Sequence, residues 1–336
     1  MFFQEHYKEM VILTLNRQIY DNLTLGLELE MSGQSRRRAA EVIADFFGTS
    51  YVYEGPGGYD KYIITDSEGR KWTVMSDASI VPLQKNRAGT VISAPDTHKV
   101  EFVSPPLLAK DIEMYQEIVR KLRKAGFFES SSCGIHIHVG IKDLPPTTII
   151  HILNQVHSKQ DLIYKALGVP TAYNSRYRYC QRIPTNLVET LKKKKAKTLS
   201  QIADVWYSTI GNSGERYIRY PHSRYYIVNM TRGLVPDSRF YYGTVEFRCF
   251  CSTLHAGKIK AYMQFCLLLV SYCATLTKSS YKPVVINEGD SEAYKFRVWL
   301  VKMSCCGDEF KTMRIHLLDR FGTQSKAWRR GDRTSR

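Results

Sequence analysis

No apolar run in this chain is long enough to span a bilayer; the longest, Phe265 to Val270 extended loosely to Leu276, reads as a buried helix. The opening residues Met1-Phe2-Phe3-Gln4-Glu5-His6 lack the basic start and apolar core of a secretory leader. No CxxC pair occurs among the eight cysteines, Cys133, Cys180, Cys249, Cys251, Cys266, Cys273, Cys305 and Cys306. That absence excludes a zinc ribbon and argues against a disulfide framework. Most of these cysteines sit in apolar contexts suited to buried free thiols, so a reducing cytoplasm is expected. Also missing are a G-x-x-x-x-G-K-S/T loop and a helix-opening G-x-G-x-x-G, which leaves a P-loop or dinucleotide site without support.

Acidic residues are the scarcer charge, 32 against 48 basic ones, for a net charge of +16. The excess lies in Arg36-Arg37-Arg38, in Lys192 to Lys195 with Lys197, and in the tail residues Lys326, Arg329, Arg330, Arg333 and Arg336. Such runs are either solvated faces or attractors of a polyanion, a nucleic acid or an anionic cell-wall polymer, and both readings stay open. At 336 residues, 43% of them hydrophobic, the chain can bury a substantial core.

What is present is a set of strands that alternate apolar and ionisable residues. In Cys133-Gly134-Ile135-His136-Ile137-His138-Val139-Gly140, period-two alternation sends Ile135, Ile137 and Val139 to one face. His136 and His138 share the other, ~7 Å apart along the strand. Leu25 to Met31 places Glu28 and Glu30 on one face in the same way, and Val100 to Ser104 carries Glu101 before Pro105 and Pro106 end it. Thr244 to Phe250 sets Glu246 and Arg248 opposite Val245, Phe247 and Cys249. Each alone could be an ordinary solvated strand face. Sharing one sheet, they would gather four carboxylates, two imidazoles and a guanidinium, and a divalent cation would relieve the repulsion.

Along the chain, Ser35 caps a helix carrying Ala39, Val42, Ile43, Phe46 and Phe47, which Gly48 closes. Tyr51–Tyr53, Tyr59–Ile64 and Lys71–Met75 read as a meander, with Asp66-Ser67-Glu68-Gly69 as a hairpin turn. Helices are expected at 111–125, with the stripe Ile112, Tyr115, Val119 and Leu122, and at 147–167, 256–276, 291–303 and 308–321. Residues 171–225 carry the weakest pattern and suggest an inserted lobe or lid. The strands resume at 226–230 and 244–250. Strands joined by hairpins and separated by helices point to an α+β fold with a largely antiparallel sheet.

The ordered series Gly26–Glu30, Asp77–Ile80, Val100–Pro105, Cys133–Val139 and Thr244–Arg248 resembles the amidoligase family, carboxylate–amine ligases of the glutamine synthetase superfamily. The resemblance runs from about residue 22 to 275 and implies a curved, glutamine synthetase-like sheet with helices over one face. It leaves 1–21 as an approach segment, 276–321 as terminal helices and 322–336 as a basic tail. It also implies ATP with Mg²⁺ or Mn²⁺ as cofactors, and a carboxylate and an amine as substrates. By that resemblance Glu28, Glu30, Glu101, Glu246 and His136 are metal ligands, and His136 and His138 contact the phosphates or the metal shell. Arg248 holds an acyl-phosphate or substrate carboxylate. Further arginines that this superfamily uses have only candidates here: Arg176, Arg178, Arg182, Arg219 and Arg224. Two other readings stand beside it. One is a metal-dependent hydrolase, although no glutamate follows the histidines at cupin spacing. The other is a basic, non-catalytic nucleic-acid-binding protein on a ligase scaffold.

Overall fold

The computed structural model describes residues 14–170 and 180–322, which divide into two compact units. A sheet unit holds Thr24–Ile137 with Phe250–Lys260, and a helical unit holds the rest. Arg176, Arg178 and the tail from Lys326 lie outside the described residues.

The described chain opens in helix α1 (residues 14–22), which belongs to the helical unit. The sheet unit begins with β1 (Leu25–Met31), α2 (Arg36–Phe47), β2 (Tyr51–Tyr53), β3 (Tyr62–Thr65) and β4 (Lys71–Met75). A small hairpin follows, β5 (Leu83–Lys85) and β6 (Val91–Ser93), then β7 (Val100–Val103), α3 (Ile112–Lys124) and β8 (Gly134–Gly140). Its sheet has the order β2-β3-β4-β7-β1-β8, and the β2–β3, β3–β4, β4–β7 and β1–β7 ladders are antiparallel. Leu29 pairs with Phe102 and Glu30 with Glu101, so apolar and acidic residues separate cleanly onto opposite faces.

Helix α2 packs on β2, β3, β4 and β7, over the apolar face. Trp72, Phe102 and Tyr115 stack there at 5.6–6.3 Å between ring centres, all fully buried. Burial of side chains this size contributes about 2–3 kcal/mol each, and this stack anchors the sheet. As expected, Ser35 accepts from the Arg38 amide at the start of α2, and Gly48 closes it at φ 65°, a left-handed conformation. Asp66 tightens the β3–β4 turn by accepting from the amides of Glu68 and Arg70 and from the Trp72 indole.

Two expectations are corrected here. Arg36, read as part of a basic patch, is buried: it pairs with Asp60 and donates to the carbonyls of Asp96 and Lys99, clamping the β2–β3 and β6–β7 connections to the start of α2. Arg37 and Arg38 both pair with Glu41. The β5–β6 hairpin was not expected, because its strands are three residues long and Val91 and Ile92 are exposed.

The helical unit contains α4 (Thr147–Leu167), α5 (Thr185–Lys193), α6 (Leu199–Thr209), β9 (Val228–Asn229) and β10 (Thr244–Cys251). It ends with α7 (Ala256–Thr275), α8 (Glu292–Lys302) and α9 (Lys311–Leu318). Helix α4 packs on α5 and α9, α5 on α6, and α8 on α9. Helix α7 is apolar all round, hence its burial on every side from Ala261 to Val270. The segment expected to be weakly patterned holds two ordered helices, and α6 starts with a Thr198–Gln201 capping box. Strand β9 is only two residues long and pairs antiparallel with β10, Asn229 against Glu246. The unit boundary passes through β8 after Ile137, β10 after Cys249 and α7 after Lys260. The chain is α+β, mixed helices with a large antiparallel sheet. Among the described residues, no helix is long and apolar enough to cross a membrane.

Candidate active site

In the sheet unit the acidic face is built by adjacent strands. Glu30 on β1 and Glu101 on β7 stand directly opposite in register, at 3% and 6% exposure. Residues so paired hold their Cβ atoms about 5 Å apart, and like charges there are destabilising. The Glu30 carboxylate accepts from the Gly134 amide at 2.6 Å, where β8 begins. Ser252 donates its hydroxyl to the Glu30 carbonyl, and the Ser252 amide bonds the Cys133 carbonyl at 3.2 Å.

His136 ties the third carboxylate in. Its Nδ1 lies 2.9 Å from Glu28 Oε2, while Nε2 lies 3.9 Å from Glu30 Oε1. With Nδ1 donating to Glu28, a neutral ring leaves an Nε2 lone pair directed to the Glu30 side. A carboxylate on one ring nitrogen is how proteins orient a ligating imidazole. Burial and the neighbouring Glu30 charge push the Cys133 thiol up, so it stays protonated and inert. Hard carboxylate oxygens brought together this closely fit Mg²⁺ or Mn²⁺ better than a soft-ligand metal.

The helical unit builds its part on β9 and β10. Glu246 is 5% exposed and accepts from Asn229 Nδ2 at 2.6 Å on one oxygen and from the Arg248 guanidinium on the other. Asn229 Oδ1 takes the Thr231 amide at 2.9 Å, which fixes its orientation. Arg248 also lies 5.8 Å from the Tyr225 ring centre. His138, half-buried, is the next residue on the His136 face of β8 and belongs to this unit.

Thus Glu28, Glu30, Glu101 and His136 come together in one unit, and Glu246 and Arg248 in the other. Arg182 is engaged elsewhere, in an ion pair with Asp161 and 4.7 Å from the Tyr164 ring, so it is not part of either group. Arg219 and Arg224 stack on Tyr220 instead. The partner that sequence reasoning did not assign is Asn229. The stretch around Asn229 falls within the amidoligase resemblance without a role attached to it, and the residues themselves offer only a polar amide inside the apolar run Ile227-Val228-Asn229-Met230.

Over residues 21–270 the chain matches the family model described as "Putative amidoligase enzyme". Compared with curated proteins, it has no match. A bifunctional glutathione synthetase from Pasteurella multocida is similar at 11% identity and a TM-score of 0.43, over 96% of this chain and 51% of that one. The complex of the prokaryotic ubiquitin-like protein Pup with its ligase PafA contains a chain similar at 12% identity and a TM-score of 0.38, over 94% and 65%. The chain spans between about half and two thirds of the length of these two proteins.

Proposed function

The chain belongs to the amidoligase family, and on that premise we propose that it joins a carboxylate to an amine at the expense of ATP, with Mg²⁺ or Mn²⁺ as cofactor. The observation that carries this reading is the in-register pair of buried carboxylates Glu30 and Glu101, with Glu28 linked to them through His136. A buried pair of like charges is a poor structural device and a good seat for a divalent cation.

Making an amide at neutral pH requires turning a carboxylate oxygen into a leaving group. The substrate carboxylate attacks the γ-phosphorus of ATP, ADP departs, and an acyl-phosphate forms. The amine then attacks the acyl carbon, phosphate leaves, and the amine gives up a proton. No protein nucleophile is required, because positioning and charge neutralisation suffice. Bound by Glu28, Glu30, Glu101, Glu246 and His136, divalent cations would supply charge neutralisation on the phosphate oxygens. Glu246, itself held by Asn229, orients Arg248, whose guanidinium takes the substrate carboxylate or its acyl-phosphate. His138 contacts phosphate. The catalytic residues are therefore Arg248 and His138 within an amidoligase domain of about 22–275. The buried free thiols, six of the eight cysteines, support a cytoplasmic setting.

Calorimetry with ATP tests the metal, since binding should require Mg²⁺; equal affinity in EDTA removes the metal site. Turnover with pooled carboxylic acids and hydroxylamine should release ADP and phosphate and trap a hydroxamate. AMP formed in step with product would place the attack at the α-phosphorus and sink the acyl-phosphate route.

A further inference from the structure

The start of α6, the short 3₁₀ helix Ser213–Tyr217 and the turn at residues 234–237 line a cavity of about 440 Å³ within the helical unit, open to solvent on one side. A volume of this size suits a small molecule. The floor is apolar: Ala203, Leu234 and Val235 are buried, and Leu199 is half-buried. Leu199 also lines a neighbouring cavity of about 140 Å³, which carries the apolar floor on toward Pro145 and Ile149.

Two opposite charges line the larger cavity without pairing to each other. Arg216 gives its Nη2 to Asp204, and its guanidinium lies 5.8 Å from the Tyr207 ring centre, which fixes it from one side. Its Nε and Nη1 donate to no protein group among the described residues. Asp237 is exposed, and its carboxylate makes no hydrogen bond or ion pair among them. The acidic residues beside Arg216 are already engaged: Asp204 by Arg216 itself, and Glu215 by the Ser223 amide at 3.0 Å and by Asn212 Nδ2 at 3.3 Å. Ser200 and Tyr217 add hydroxyls that bond no described protein group.

An unpaired cation edge and an unpaired anion over one apolar floor complement a ligand that carries both charges and an apolar body. We infer that this cavity binds a small zwitterion, an apolar α-amino acid or dipeptide. Its ammonium meets Asp237, its carboxylate meets the free edge of Arg216, and its side chain lies on Leu234 and Val235. A purely anionic ligand is the weaker fit, because Asp237 would oppose it. None of these residues belongs to the proposed ligase site, so the inference does not rest on that reading.

Ligand-observed NMR on the full chain without ATP, with L-leucine and L-leucyl-L-leucine as probes, tests the cavity. At least one probe should saturate with a dissociation constant of about 1 mM or less. N-acetylation of that probe removes its ammonium and amidation removes its carboxylate, and each should weaken binding about ten-fold. Asp237→Asn should weaken the parent probe by a similar factor and leave the N-acetyl form unchanged. Arg216→Gln should do the same against the amidated form, and both variants should keep the wild-type circular dichroism spectrum. Failure of both probes to saturate below about 10 mM, an N-acetyl form that binds as tightly as its parent, or parent affinity unchanged in either variant overturns the inference. Binding of ATP with Mg²⁺, measured separately on the same variants, should match the wild type. The ligase reading thus fails or survives independently of this cavity.

Discussion

The two units handle buried glutamates in opposite ways. In the helical unit Glu246 receives a guanidinium and an amide, each from a neighbouring residue or strand, and the charge is matched where it stands. In the sheet unit Glu30 faces Glu101 across the β1–β7 ladder, and the side chain shared with Glu28 is an imidazole. The first arrangement sets a cation beside the carboxylate, whereas the second sets two anions opposite each other in register, where an ordinary sheet would place a Thr pair or opposite charges. The contrast separates a carboxylate that also holds an arginine from carboxylates whose neighbours are another carboxylate and an imidazole.

Glu30→Gln is the sharpest way to break the contrast. It should lower ATP-dependent turnover by about 10²–10³-fold, the range for removing one preorganised group that stabilises a transition state. Without metal the variant should stay within about 1 kcal/mol of the wild type, since its amide oxygen can still accept from Gly134 while one of the two facing charges is removed. Thermal melting with and without Mg²⁺ reads this directly. The wild type should gain stability from the ion by mass action, and Glu30→Gln should lose most of that gain. A variant that is destabilised and still responds fully to Mg²⁺ would make Glu30 structural.

Glu246→Gln should behave differently. Breaking the ion pair takes the Glu246 charge from Arg248, whose side chain is 11% exposed, at a cost of about 3–5 kcal/mol at most. That loss should appear with or without metal, alongside the lost activity. Equal stability of Glu246→Gln and wild type in EDTA would erase the distinction between the two units.

How much of this was legible beforehand depends on where the signal sits. Glu28, Glu30 and Glu101 announced themselves because a buried-face alternation has period two, and an ionisable residue at the wrong phase stands out. Helix α4 was readable to its ends for a related reason: two prolines open it and Gly168 closes it in a left-handed conformation. Arg36 was misread because a run of three arginines carries no mark of which one turns inward. Its partner Asp60 is 24 residues away, and the carbonyls of Asp96 and Lys99 are 60 and 63 away. The β5–β6 hairpin escaped because exposed strands need no apolar phase. It is tied to the end of β1 by the Ser32 hydroxyl, which bonds the Leu83 carbonyl and amide, and by the Gly33 amide, which donates to the Leu83 carbonyl at 2.9 Å.

A smaller effect is expected at the histidines. His136→Ala removes the link between Glu28 and Glu30 and should cost ten- to a hundred-fold in activity, as for groups that orient ligands. His138→Ala should cost less. Steady-state ADP release at saturating Mg²⁺ compares them, and a larger loss at His138 would reverse the assignment of the two rings.

The smallest effect concerns a half-buried cation, Lys159, which sharpens the comparison from the other sign. Burial pulls its ammonium down from 10.5 to about 8, while it donates to Ser158 Oγ at 2.8 Å and lies 5.4 Å from the Trp299 ring. Because the folded pKa is depressed, the unfolded chain binds more protons between about pH 8 and 10.5, so stability should rise across that window. The full shift is worth about 3 kcal/mol at most. Lys159→Met keeps the stem packed and removes the charge, at the loss of the Ser158 and Trp299 contacts. A net gain of about 1 kcal/mol at pH 7 is therefore expected, fading as the pH approaches 10. Melting curves of the two proteins from pH 7 to 10 measure it. The acidic face of the sheet unit should respond to Mg²⁺ and this lysine only to protons. An Mg²⁺-dependent difference between Lys159→Met and wild type would show that the two charges are not handled separately.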